Sequence, residues 1–387
     1  MRNKRCIFHV PNSIDLKAKS GSQVRPLRLQ KAFEEIGYQV DVVMGNNTER
    51  KLAIEKIKQN MKEGVRYQFL YSESSTMPTL LTDSHHLPTH PTLDFGLMKF
   101  CRRNGIKVGL FYRDMHWRFP DYKRAVPWYQ KVVTIPMYKY DLRMYNRHLD
   151  ILYVTSEQTK SYIQHEINTD IKLLPPGADY DTEIVEKRKE YFKGRTNKRL
   201  KLFYVGGIGA PNSLYDFVML LKVLQEKQDV EFTICCRKDE WEKNMVYYKP
   251  YMTNRIHIIH EAGENLERFY LESDICMCYY PRVTYRDMAM PIKLFEYLAY
   301  VTPVIVTQGG ATGEFVQEHD FGWCVAYQEE QLSNLMDEIL KNQDEIYQKH
   351  VHAIQCLTDN VWKQRAAQVA KDLTETRGKK IGKKNNH

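Results

Sequence analysis

Short runs of apolar residues alternate along the whole chain with longer segments in which apolar positions recur every three or four residues. The short runs predict buried strands and the longer period predicts amphipathic helices covering them, the pattern of parallel α/β layers. In the first half the pattern predicts strands at 6–10, 39–44, 66–72, 107–112 and 151–155, and helices at 24–36, 95–103 and 156–166. In the second half it predicts strands at 200–205, 230–235, 256–259, 275–279, 304–307 and 323–326, and helices at 212–225, 265–273, 291–300 and 330–341. The two series meet at Leu174-Pro175-Pro176-Gly177-Ala178-Asp179, a proline- and glycine-bearing stretch suited to a connector. The expected organisation is an N-terminal Rossmann-like domain over 1–175, a C-terminal Rossmann-like domain over 176–365, and a helix end with a basic tail over 366–387. Two such halves leave a cleft between them, the usual place for a ligand.

The most informative stretch is 289–310, AMPIKLFEYLAYVTPVIVTQGG. Pro291 suits the first position of a helix, where its missing N–H costs nothing. Lys293 and Glu296 are three residues apart and share a helical face. Free N–H groups and the dipole at a helix start attract a phosphate, and Lys293 adds a charge there. Glu296, one turn further in, suits a ribose diol. An ordinary surface ion pair between the two is the plainer alternative, and the proline start, apolar strand and double-glycine turn argue against it.

Other candidates follow predicted strands. Gly206-Gly207-Ile208-Gly209 allows a phosphate or sugar close to the backbone, or makes a tight strand-to-helix turn. Arg237 ends the strand at 230–235, and ligands of open α/β sheets bind outside carboxyl strand ends. Arg113, Asp114 and His116 follow a first-half strand. There Asp114 would orient a ligand hydroxyl and His116 would contact the ligand, unless Asp114 caps the next segment. Gly21, Ser22 and Arg25 open the first helix and suit a phosphate of either of two ligands, with a plain N-cap by Ser22 as the alternative. His85, His86 and His90 lack a matching ligand set, and Asp179-x-Asp181 lies in the connector, so neither predicts a metal.

Composition adds three constraints. The formal charge is +9, which favours an anionic partner, though part of the excess sits in the C-terminal RGKKIGKKNNH. The eight cysteines are scattered through predicted strands and helices, as reduced core thiols would be. No apolar run reaches the roughly 18 residues of a membrane span, and the basic N-terminus lacks the features of a signal peptide. Residues 117–147 interleave aromatics with Lys and Arg. That composition suits an anionic membrane surface, single-stranded nucleic acid, or a partly buried helix pair with a solvated basic face.

The residues carry a resemblance. Tyr204-Val205-Gly206-Gly207, the run from Met290 to Ala299, Pro303-Val304-Ile305, Gly309-Gly310 and a late Val361-Trp362 resemble the donor-binding domain of GT-B glycosyltransferases, closest to glycosyltransferase family 4. The first half, with Phe111 to Trp117, resembles bacterial members that build capsule, exopolysaccharide or lipopolysaccharide. The resemblance implies an α/β fold of two Rossmann-like domains facing across a cleft and transfer of a sugar from a nucleotide-diphosphate donor to a glycan or polyprenyl-linked acceptor. It further implies retention of configuration, no metal and no cofactor beyond the nucleotide sugar as co-substrate. On the donor side it implicates Gly206, Gly207, Arg237, Met290, Lys293, Leu294 and Glu296. Asp114, His116, Lys293 and Arg237 are expected at the reaction, and Gly21, Ser22, Arg25 and Arg113 at the acceptor. Many relatives carry two glutamates eight apart; here Met288 stands eight before Glu296, with Asp287 beside it. The basic residues that often follow the first glycine are absent too, leaving Lys293, Arg237 and backbone amides for the phosphates. A cytoplasmic, peripherally membrane-bound enzyme without nucleic acid is the expectation. An epimerase on the same fold or a non-catalytic binding protein are the alternatives.

Overall fold

A computed structural model of the chain describes residues 4–14, 21–195 and 199–375. The first half builds strands β1 (Lys4–His9), β2 (Tyr38–Val43), β3 (Phe69–Glu73), β4 (Lys107–Phe111), β5 (Ile151–Val154) and β6 (Asp170–Leu173). The second builds β7 (Leu200–Val205), β8 (Val230–Cys235), β9 (Ile256–Ile259), β10 (Ile275–Cys278), β11 (Val304–Thr307) and β12 (Gly322–Val325). They form two six-stranded sheets in the orders β2-β1-β3-β4-β5-β6 and β12-β11-β10-β7-β8-β9, with parallel pairing throughout. Strands covered by helices on both faces read as continuous apolar runs, and β5 and β10 are buried at every position.

The strand orders fix where a ligand fits. In the second sheet the chain runs from β7 outward to β9, then returns to the other side of β7 as β10. This reversal opens a crevice beyond the carboxyl ends of β7 and β10. The Gly206 turn and the segment starting at Tyr279 therefore lie side by side.

Several elements differ from the sequence expectation. The helix predicted at 212–225 is confined to Val218–Leu224, because Asn212 has φ +61° and the Asp216 carboxylate accepts from the N–H groups of Asn212 and Val218. The first helix begins at Gly21, one residue before the expected cap, Ser22. Unpredicted helices cover Asn47–Lys62, started by a capping box between Asn46 and Glu49, and Thr182–Lys193. Asp181 caps the latter, accepting from Glu183 and Ile184 N–H, and Asp179 pairs with Arg28 at 2.9 Å, so each carboxylate of the D-x-D has a structural partner. The last helix, Trp362–Thr374, returns across the molecule. Its Trp362, Ala366, Val369 and Leu373 pack in one core with Cys6, Phe8 and Tyr71 of the first sheet and Phe33 of the first helix.

The halves also touch near the crevice. The Met288 carbonyl accepts from the hydroxyls of Ser156 at 2.8 Å and Thr159 at 3.2 Å, and the Met288 side chain is buried in a first-half core. The Tyr285 hydroxyl donates to Asp114, 3.0 Å from each carboxylate oxygen. A segment of the second half is thereby anchored to the first.

Candidate functional site

The helix Ile292–Ala299 starts at Pro291, which takes the cap position rather than the first helical one. Its cap residue has no side chain that accepts a hydrogen bond, and no side chain caps the start of the helix Gly310–His319 either. Pro291, Lys293, Gly309 and Gly310 line one pocket, so two uncapped helix starts converge there. Gly309 and Gly310 adopt φ +80° and +68°, a turn that a side chain would strain.

Lys293 lines both this pocket and the large cleft between the halves. Its Nζ donates to Tyr204 Oη at 3.1 Å and lies 4.4 Å from the centre of that ring. Tyr204 Oη in turn donates to the Gly207 carbonyl at 2.8 Å, tying the lysine to the glycine turn. Gly206 has φ +146°, and a Cβ there would collide with Lys293 Nζ. The glycine is needed to leave room for the ammonium. Burial lowers the Lys293 pKa to about 8, against the pull of Cys278 and Glu296. Glu296 is half-buried and faces the cleft. Burial raises its carboxyl pKa, opposed by Lys293. Among the described residues no ion pair joins Lys293 to Glu296, so the plain surface pair is not what holds them.

Sequence reasoning missed Arg286 and Tyr280. Both line the pocket with Lys293, and the Arg286 guanidinium lies 4.3 Å from the Tyr280 ring centre and 4.9 Å from that of Tyr215. Arg286 Nη1 and Tyr280 Oη are buried without a hydrogen-bond partner. Neither segment shows periodicity; their signal is only that they follow strand β10 at the topological switch.

Other expected site residues sit differently. Gly207 and Arg237 line the cleft, but Arg237 is 72% exposed and lies 3.5 Å from Glu240, which also contacts Ile208 N–H at 3.3 Å. Arg286, not Arg237, shares the pocket with Lys293 and acts on its charge. Leu294 is a correction: its side chain is fully buried in the second core and its N–H donates to the Pro291 carbonyl at 3.1 Å, leaving nothing for a donor. Met290 is partly buried against that same core.

Arg25 and Arg113 are also corrected. Arg25 Nε lies 3.2 Å from one oxygen of the fully buried Glu73, and Arg113 Nη2 lies 2.9 Å from the other. Arg25 also stacks 3.6 Å from the Phe111 ring centre, and Arg113 Nε donates to the Ser74 carbonyl at 3.1 Å. Two arginines around one carboxylate form a closed core network, and an acceptor phosphate has no access to Arg25. Gly21 and Ser22 begin a helix, but their side chains lie outside the described residues.

Asp114 and His116 line neither pocket. Asp114 accepts from His116 N–H at 2.9 Å, the capping role, and from Tyr285 across the cleft. His116 stacks edge-on against Tyr122 and Tyr138, with Nδ1 3.3 Å from Asp114. The three histidines of the 85–90 loop bond locally: His86 to the Leu81 carbonyl, His85 to Leu87 N–H, and His90 to Thr89.

Comparison with known proteins agrees with this geometry. Residues 199–342 match the family model described as glycosyl transferases group 1. No curated protein matches the chain. Among solved structures the chain is similar to sucrose-phosphate synthase from Thermosynechococcus elongatus, with TM-score 0.61, 14% identity, and coverage of 95% of this chain and 98% of that one. The Anabaena protein HepE, solved with UDP and glucose, gives TM-score 0.61 at 11% identity, covering 95% and 99%. WaaG, a glycosyltransferase involved in lipopolysaccharide biosynthesis, gives TM-score 0.58 at 11% identity, covering 96% and 100%. At these identities the structural likeness is one of fold, and the match over 199–342 falls on the half that carries the Lys293 pocket. The chain has the two-domain fold of the GT-B glycosyltransferases, and its residues 199–342 match the glycosyl transferases group 1 model.

Proposed function

We propose that the chain moves a sugar from a nucleoside-diphosphate donor to a hydroxyl of a glycan or lipid-linked acceptor in surface polysaccharide synthesis, with retention of configuration and without a metal ion. One observation carries the donor site: Lys293 stands where two uncapped helix starts converge, with Glu296 one turn away in the cleft. As the glycosidic bond breaks, charge grows on the leaving diphosphate. A fixed ammonium and oriented amides stabilise that charge more than the ground state. Glu296 accepts from the ribose hydroxyls. The cross-cleft bonds of Tyr285 and Met288 keep the halves close enough to exclude water. Retention and the absence of a metal rest on the family resemblance, and the polysaccharide role on the likeness to WaaG.

A lipid-linked acceptor places the enzyme on the inner membrane face. The outer side of the helix Trp128–His148 supports that: Trp128, Tyr129, Val132 and Val133 are 74%, 57%, 65% and 48% exposed. From Tyr122 to Tyr140 the chain carries Lys123, Arg124, Lys131 and Lys139 and no acidic residue. Exposed apolar anchors ringed by cations match an anionic bilayer. Among the described residues no helix is long and apolar enough to cross it.

The donor site is tested by thermal shift with a panel of nucleotide sugars on the wild type, Lys293→Ala and Glu296→Ala. One donor stabilises the wild type and neither variant. No shift with any nucleotide, or equal shifts in all three proteins, overturns the assignment.

A further inference from the structure

We propose that the transferred sugar carries a carboxylate, held in the pocket beyond Lys293 by Arg286 and Tyr280. This rests on the donor-site reading above. Lys293 lines both cavities, so a diphosphate at Lys293 with its ribose toward Glu296 directs the sugar ring into the pocket of Tyr215, Tyr280, Tyr285, Arg286 and Gly310.

The polar groups of that pocket are unevenly committed. Asp287, its only carboxylate, is held by Arg282 through contacts of 3.2 and 2.8 Å. The Tyr285 hydroxyl is donated to Asp114, that of Thr307 to the Tyr280 carbonyl at 2.7 Å, and that of Thr312 to the Ala289 carbonyl at 2.9 Å. What remains is Arg286 Nη1 and Tyr280 Oη, both buried without a hydrogen-bond partner, and the uncapped start of the helix Gly310–His319. Tyr280 is 7% exposed, and its hydroxyl has Tyr204 and the Cys278 thiol as neighbours but no acceptor in hydrogen-bond geometry. Among the described residues Arg286 has no ion-pair partner.

Of these groups Arg286 Nη1 and the helix-start amides only donate, and Tyr280 Oη has a proton to give. A neutral hexose brings hydroxyls whose protons need acceptors, and the pocket's carboxylate, Asp287, is already committed to Arg282. An ionised carboxylate only accepts hydrogen bonds, and it matches the planar fork of arginine. The rings of Tyr215 and Tyr280 fix the Arg286 plane and leave its edge for the ligand. A partly buried guanidinium with its Nη1 unpartnered is costly in the empty protein, and a sugar carboxylate lowers that cost on binding.

The test is calorimetric titration with matched pairs: UDP-glucuronate against UDP-glucose, UDP-galacturonate against UDP-galactose, and GDP-mannuronate against GDP-mannose, with UDP and GDP alone. The proteins are the wild type, Arg286→Gln and Tyr280→Phe, each checked for native melting. For one base the acidic member binds at least about tenfold more tightly than its neutral partner, the ratio expected of one charge-assisted contact. Arg286→Gln removes that ratio and Tyr280→Phe reduces it, while both leave the bare nucleoside diphosphate within about twofold. Equal or better binding of the neutral member overturns the proposal, as does an Arg286→Gln variant that loses the bare diphosphate as strongly as the acidic sugar. Failure of every nucleoside diphosphate to bind overturns the donor site as well and separates the two readings.

Discussion

The two halves each place arginines beyond the ends of their strands and use them in opposite ways. In the first half Arg25 and Arg113 close around Glu73, and the buried hydroxyl–imidazole–carboxylate chain of Ser72, His9 and Asp94 is sealed by Arg50. In the second half Arg286 and Lys293 stand on the same aromatic rings with no carboxylate against either. A buried charge with its partner in the protein is part of the core, whereas one left unpaired at a pocket is set for a charge that arrives with a ligand. Residue type and position after a strand do not separate the cases; the location of the counter-charge does.

The largest effect expected is on the closed network. Glu73→Ala removes the buried carboxylate that Arg25 and Arg113 share and lowers stability by about 3–5 kcal/mol. Chemical denaturation measures it, and the folded fraction keeps its nucleotide affinity. Near-normal stability with lost acceptor use would erase the distinction between the halves.

Lys293→Met tests the other side. Turnover falls by about 10²–10³ if the ammonium stabilises the leaving diphosphate, while stability is nearly retained. Nucleotide release assays read this directly. The pH dependence has a defined sign. Because the free Lys293 titrates near pH 8, diphosphate affinity weakens above that pH, by about tenfold per unit while the complex stays protonated. Over the same range, from about 8 up to the ordinary 10.5, the ligand-free chain gains stability, since the unfolded state holds a proton the native state has shed. Both trends vanish in Lys293→Met.

Tyr285→Phe removes the hydroxyl shared with Asp114 and costs about 1 kcal/mol of stability, with the loss of transfer exceeding the loss of donor binding because one of the ties across the cleft is gone. Arg237→Ala, at an exposed site beside Glu240, changes donor affinity by less than about twofold. A large loss there would return the diphosphate to the cleft rim.

Eleven of the twelve strands and the Lys293–Glu296 helix were legible because each is a local pattern: an apolar run, a proline start, a three-residue spacing; β6, a short and partly exposed edge strand, was not. Arg286 and Tyr280 were not, since their place depends on β10 returning beside β7. Arg25 and Arg113 were misread because Glu73, which neutralises both, is 40 residues before Arg113 and carries no local mark. The helix Trp362–Thr374 shows its apolar face in sequence, but not that this face belongs to the first sheet. Leu294 shares a motif with Lys293 and Glu296 yet points to the opposite side of the helix, into the core.

The most direct test of the central claim is a crystal structure of the chain with a nucleoside diphosphate. The phosphates are expected against Lys293 and the starts of the helices Ile292–Ala299 and Gly310–His319, with the ribose hydroxyls on Glu296. A nucleotide seated in the first half, or phosphates distant from Lys293 with the ribose off Glu296, would contradict it.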